Sequence, residues 1–170
     1  SGNLRDDQTR IIKGPKKERK LPAIASKFEI DRLLDTPDLT TKVGIRDRTL
    51  LELLYATGLR VSEIQSMNIE DVDLKTREIR VVGKGSKPRI ALFGDHSKRW
   101  VVEYLENVRS RFTNRSSDLA MWLNQSGGRL SSRSVQRIVK KYALQAGLAS
   151  QFHTHSIRHS FLIIIRWFFY

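Results

Sequence analysis

The spacing of apolar positions changes character along the chain, and each change marks an element. Residues 1–22 show no sustained apolar period and carry the basic run Lys13-Gly-Pro-Lys-Lys-Glu-Arg-Lys20, which reads as a tether or arm rather than a packed element. From Ser26 the pattern becomes helical. Ser26 and Glu29 have the spacing of a capping box, and Phe28, Ile30, Leu33 and Leu34 supply an apolar stripe, so a short helix ends near Thr36-Pro37. A longer helix covers Leu39 to Tyr55, with Ile45, Leu50, Leu51, Leu53 and Leu54 as its buried face and Gly58 placed to stop it. Val61, Ile64 and Met67 then continue at helical spacing to about Asn68.

Beyond Asn68 the period drops to two. Asp71–Leu74, Glu78–Val82 and Arg89–Phe93 are short strand-like runs separated by Lys75-Thr76-Arg77 and by Gly83–Pro88, a pattern that predicts a three-stranded antiparallel meander. Helical spacing returns in Trp100–Arg111, where Trp100, Val101, Tyr104, Leu105 and Val108 form the inward stripe. Leu119–Leu123 is a short apolar segment, and Asn124–Gly128 turns the chain. Ser131 or Ser132 caps a helix to Ala146, with Val135, Ile138, Val139 and Tyr142 inward, Arg133, Arg137, Lys140 and Lys141 outward, and Gly147 at its end. A last helix begins near Thr154. The chain therefore reads as mainly α with a small three-stranded antiparallel sheet, an α+β fold, and no internal repeat interrupts it.

Composition adds the partner. Lysine and arginine number 31 against 18 acidic residues, a net charge of +13, and such a field favours polyanions, nucleic acid foremost. The chain contains no cysteine, which excludes disulfides, thiolate metal sites and cysteine nucleophiles. Its longest apolar run, Phe161-Leu-Ile-Ile-Ile165, is far below the ~20 residues that span a bilayer, and the first residues lack a signal-peptide core, so the expectation is a soluble cytoplasmic protein without membrane contact.

Three stretches carry the chemistry: Ala56-Thr-Gly-Leu-Arg-Val-Ser-Glu63, Gly83-Lys-Gly-Ser-Lys87 and His155-Ser-Ile-Arg-His159. On the residues alone, Arg60 and Glu63 form an i,i+3 pair, Lys84 stands between glycines at a hairpin tip, and His155 and Arg158 lie one helical turn apart. Zinc bound by His153, His155 and His159 finds no nearby carboxylate or thiolate to complete it, and the bland reading makes His153 an exposed loop residue and His159 a packed core residue.

In this order, and together with the segment Asn124–Ala143, these motifs resemble the tyrosine recombinase or phage-integrase family, closest to its Xer-type members. The resemblance runs from Ser26 to about Phe161 and implies the catalytic-domain fold of that family. It also implies DNA breakage and rejoining through a 3′-phosphotyrosyl intermediate, with no metal or other cofactor. By resemblance Arg60 and Arg158 grip the scissile phosphate, Glu63 supports Arg60, Lys84 is the general acid for the leaving 5′-oxygen, and His155 is an acid/base partner. Breaking a phosphodiester without metal puts charge on nonbridging oxygens, and the planar guanidinium is suited to hold it. Lys87, Arg89, Ser131, Arg133, Arg137 and Lys140 are candidates for further DNA contacts.

The end of the chain departs from that pattern. Leu162-Ile-Ile-Ile-Arg-Trp-Phe-Phe-Tyr170 lacks the polar-faced helix expected after the histidine-arginine motif. Tyr170 follows Arg158 by 12 residues, about 18 Å along a straight helix, and is not expected to be the nucleophile. The sequence thus reads as a basic linker, 1–22, from a missing N-terminal DNA-binding domain, followed by a catalytic domain, 23–170, with a truncated or altered end and poor cleavage by itself. Its expected partners are double-stranded DNA and other protomers, four on DNA in the family, with a monomer when free. A noncatalytic DNA-binding or regulatory module, and an unrelated basic helical nucleic-acid-binding domain, are the competing readings.

Overall fold

A computed structural model describes residues 25–82, 87–113 and 119–169, the last seven as helix backbone only. Six helices and one sheet follow in the order α1 (Lys27–Asp35), α2 (Lys42–Thr57), α3 (Val61–Ser66), β1 (Val72–Asp73), β2 (Glu78–Val81), β3 (Arg89–Leu92), α4 (Asp95–Glu103), α5 (Ser132–Gln145) and α6 (Thr154–Phe169). The expected mainly helical fold with a three-stranded antiparallel sheet is what forms, in strand order β1-β2-β3. The register pairs Val72 with Ile79, Ile79 with Ala91, and Val81 with Arg89. Ile79, Val81 and Ala91 are buried, so one face of the sheet joins the core while Ile90 and Leu92 stay exposed on the other.

Local signals set most boundaries. Ser26 Oγ accepts the Glu29 N–H, and the Glu29 carboxylate accepts the Ser26 N–H at 2.8 Å, closing the capping box that starts α1. Thr41, rather than Leu39, opens α2: its hydroxyl accepts the Gly44 N–H at 2.9 Å, after Asp38 has bent the chain by accepting the Thr40 N–H. Ser131 caps α5 by accepting the Ser134 N–H at 3.1 Å, which decides between the two serines. Gly58 (φ 58°) and Gly147 (φ 71°) adopt the left-handed conformation that ends α2 and α5.

One helix differs from the expectation. The periodic run over Trp100–Arg111 starts earlier, at Asp95 behind the extended Gly94, and is α-helical only to Glu103. It continues as a π turn over Tyr104–Val108 and a 3-10 turn over Arg109–Phe112. The wider turn lies where Tyr104 stacks on Trp122, ring centroids 5.3 Å apart, and donates its hydroxyl to the Met121 carbonyl at 2.9 Å.

Helix α2 is central and packs against α1, α4 and α6. Its leucines are buried as expected, but so are Arg46, Asp47, Arg48 and Glu52. Arg46 donates twice to Asp47 Oδ1, at 2.9 and 2.6 Å, and once to the Leu123 carbonyl at 2.9 Å, while Tyr142 donates to Asp47 Oδ2 at 3.0 Å. Arg48 donates to Glu52 and to the Leu34 carbonyl and lies over the Trp100 ring. The inserted segment Ala120–Leu123 is wholly buried and pairs with the end of α3 through Met121 N–H to the Met67 carbonyl, 3.0 Å. These polar links tie α2 to α1, α5 and the segment before α5, so the helices around the site below share one scaffold.

Candidate functional site

The site grows out of the α2–α3 junction. Gly58 turns the chain left-handed, Leu59 is buried, and Arg60 takes an extended conformation (φ −74°, ψ 156°) immediately before α3. The Arg60 N–H donates to Glu63 Oε2 at 2.7 Å, and Arg60 Nη1 donates to Glu63 Oε1 at 3.2 Å. The Glu63 side chain is only 6% exposed, whereas that of Arg60 is 59% exposed. A short local motif therefore buries a carboxylate and leaves the guanidinium at the surface.

Two distant elements converge on this junction. Arg158, one turn into α6, donates from Nη1 to the Gly58 carbonyl and is half-buried. Arg89, the first residue of β3, donates from Nη2 to Glu63 Oε2 at 2.9 Å. Burial lowers the pKa of the Arg158 guanidinium, and the positive charges of Arg60 and Arg89 lower it further against the opposing pull of Glu63. Two arginines thus bond one carboxylate and a third stands within reach of their charges, and the excess positive charge is what an anion would neutralise.

Burial opposes the charge of Glu63, yet the Arg60 N–H and the Arg89 and Arg60 guanidinia outweigh it and hold the carboxyl below its ordinary 4.5. Because this folded-state pKa is depressed, the ionised group stabilises the fold above about 4.5 and loses that contribution as the pH falls through the folded value. Urea unfolding should therefore show the parent protein more stable than Glu63→Gln at pH 6, with the gap narrowing at acidic pH. An equal gap at pH 3 would show that the carboxylate's charge does not matter there.

The remaining candidates divide by position. His155 is exposed on α6, one turn before Arg158, and its ring meets that of His153 edge-on at 5.7 Å. His153 is exposed and held by Ser156 Oγ at 3.1 Å from its Nδ1. His159 is exposed too, correcting the expectation of a packed histidine: it lies about 200° around the helix from the buried Ile157. The inward positions near it belong instead to Ser156 and Ser160, the latter bonded to the Ala25 backbone. Lys87 is exposed. Lys84 and Tyr170 lie outside the described residues. Ser131, Arg133, Arg137 and Lys140 line the exposed side of α5, which packs beside α3 and α6. Among the described residues no group of three or more His, Asp or Glu side chains is placed to hold a metal ion. No helix there is long and apolar enough to cross a membrane.

Sequence reasoning missed Arg129. Its guanidinium donates to the Ser66 and Met67 carbonyls, both at 3.0 Å, and to Asn68 Oδ1 at 2.6 Å, satisfying the C-terminal end of α3. The available signal was that α3 has no basic residue in its own last turn, so a donor had to come from elsewhere.

The chain is similar to known proteins over most of its length. The profile of the Phage integrase family matches residues 25–165. Tyrosine recombinase XerD of Staphylococcus epidermidis is 44% identical over 155 residues, 91% of this chain and 52% of the relative. XerD of Oceanobacillus iheyensis is 41% identical over 157 residues, 92% of this chain and 52% of that protein. The chain thus spans about half the length of the curated relatives it matches. Among solved structures, XerH site-specific recombinase bound to its difH substrate in a pre-cleavage complex superposes with a TM-score of 0.74 at 26% identity, covering 89% of this chain and 45% of that one.

Proposed function

This chain belongs to the phage integrase family, and we propose that it is the DNA-binding catalytic domain of an Xer-type site-specific tyrosine recombinase. The observation that carries the reading is the convergence of Arg60 and Arg158 at Gly58, one through its position in the chain and the other through its bond to the Gly58 carbonyl. Two guanidinia from separate elements then lie close enough to feel each other's charge, which suits them to grip one phosphodiester together.

In the proposed reaction a tyrosine hydroxyl attacks the scissile phosphorus and passes its proton to His155, and the P–O bond to the 5′-oxygen breaks as that oxygen takes a proton from Lys84. Arg60 and Arg158 bind the nonbridging oxygens as their charge grows, and His155 serves as an acid/base partner on the same face of α6. Glu63 orients Arg60. The exposed cations of α5, Arg133, Arg137 and Lys140, together with Lys87 and the Ser131 hydroxyl, hold the duplex alongside. No metal or other cofactor is required, because the cations are built into the chain. Residues 1–22 act as a basic linker to a further DNA-binding domain, and the DNA partner is duplex bearing several protomers. Tyr170 is given no part in cleavage. Tyr170 follows Arg158 by 12 residues of sequence, and the part of the reaction this reading assigns to the chain's own residues is binding the phosphate and stabilising its charge.

Fluorescence anisotropy with a labelled duplex tests the reading. Arg60→Ala and Arg158→Ala should each weaken binding roughly tenfold and reduce the salt dependence by about one counterion. Binding that ignores salt, or variants that bind like the parent, would refute it. A nicked suicide duplex should give no covalent adduct. An adduct lost in Tyr170→Phe would instead place the nucleophile in this segment.

A further inference from the structure

We propose that Arg89, which the sequence offers as a DNA contact, is a positioning residue: it takes up the charge of buried Glu63 and so frees the Arg60 guanidinium to bind phosphate. The inference rests on the clamp reading of Arg60 and Arg158 given above.

Both carboxylate oxygens of Glu63 are engaged. Its Oε2 accepts the Arg60 N–H at 2.7 Å and Arg89 Nη2 at 2.9 Å, while Oε1 receives Arg60 Nη1 at 3.2 Å. The contact to the Arg60 guanidinium is the longest of the three, and Arg60 is also the more exposed arginine, at 59% against 42% for Arg89. Left with Arg60 alone, a buried carboxylate would compete with phosphate for that guanidinium, and the pair would be neutral. Arg89 changes this balance. With a second guanidinium on Oε2, Glu63 anchors the Arg60 backbone through its N–H while its charge is met from the sheet side.

The sheet register explains how Arg89 reaches so far. It is paired with Val81, a buried residue, so its side chain leaves from the core-facing side of β3, away from the exposed face of Ile90 and Leu92. The bond to Glu63 consequently fastens the start of β3 to α3. The lowered pKa of Arg158, with both Arg60 and Arg89 among its causes, is consistent with a cluster in which positive charge exceeds what Glu63 can balance.

The test is suppression by a second substitution. Binding of the full chain to a labelled duplex is measured for Arg89→Gln, Glu63→Gln, the double variant and Arg89→Lys, with thermal unfolding followed in parallel. Gln at position 63 keeps an oxygen for the Arg60 N–H but removes the competing charge. Arg89→Gln should weaken binding about tenfold, the double variant should return to within about threefold of the parent, and Arg89→Lys should fall between. If Arg89 touched phosphate itself, its loss would be equal in both Glu63 backgrounds, and the proposal would fall. It would also fall if affinity merely followed thermal stability and Glu63→Gln restored nothing. Should Arg60→Ala bind like the parent, the clamp reading fails and this proposal with it. Should Arg60→Ala weaken binding while the double variant does not recover, this proposal alone is overturned.

Discussion

Gly58→Ala is expected to lower the unfolding free energy by about 2–4 kcal/mol and to weaken DNA binding in the same variant. Two independent effects combine. Gly58 has φ 58°, a conformation that costs an L-residue roughly 1–2 kcal/mol. A Cβ at this position would also stand 2.2 Å from Phe161 Cδ1 and 2.7 Å from Cε1, so the ring must move. Phe161 is on α6, as is Arg158, whose guanidinium bonds to the Gly58 carbonyl. Displacing the ring therefore displaces the second arginine of the clamp. Urea unfolding and duplex anisotropy on one preparation check both halves. An alanine variant with parent-like stability and affinity would show that α6 yields at no cost, and that the junction does not set the distance between the arginines.

Asp47→Ala is the second large effect, at about 3–5 kcal/mol of unfolding free energy. The side chain of Asp47 is 2% exposed and its partner Arg46 is 6% exposed, so removing the carboxylate leaves a guanidinium buried with only the Leu123 carbonyl and the face of Phe112. The Tyr142 hydroxyl loses its acceptor in the same step. Burial raises the pKa of Asp47 above its ordinary value even though Arg46 and Tyr142 pull the other way, which marks how poorly this position tolerates an unbalanced charge. Asp47→Asn keeps an acceptor for Tyr142 and should cost less than the alanine. Chemical denaturation with an unchanged m-value measures the difference. A loss below about 1 kcal/mol for Asp47→Ala would mean that water reaches Arg46 when its partner is gone.

The buried ion pairs show why much of the interior was not legible in advance. Charged residues are seldom fully buried unless paired, yet Arg46, Asp47 and Arg48 are all buried. Glu52 stands at i,i+4 from Arg48 on the same helix, but Leu123, Tyr142 and Leu34 come from distant places along the chain, and no local spacing announces those partners. His159 shows the converse. Its neighbours made it look internal, but the phase of α6 is set by Ile157, Ser156 and Ser160 against the core, and the histidine is turned outward.

The motifs themselves were readable. Gly58, Arg60, Glu63, His155 and Arg158 stand at spacings that chain geometry alone makes meaningful, and the period-two runs announced the meander that carries Arg89. The capping signal at Ser26 placed a helix start because its bonds close within three residues, and the serine pair Ser131-Ser132 located the start of α5 to within one residue.

What the sequence by itself determined is what depends on near neighbours: helix and strand identity, the caps, the left-handed stop at Gly58, the excess of positive charge and the Arg60–Glu63 pair. Only the tertiary structure decided that Arg158 meets the carbonyl of Gly58 across 100 positions of sequence, and that Arg89 is joined to Glu63. The reason is physical. A local bond is fixed by backbone geometry, whereas a guanidinium with five donors can satisfy itself in many ways, and which acceptor it finds is settled by how the helices and the sheet pack.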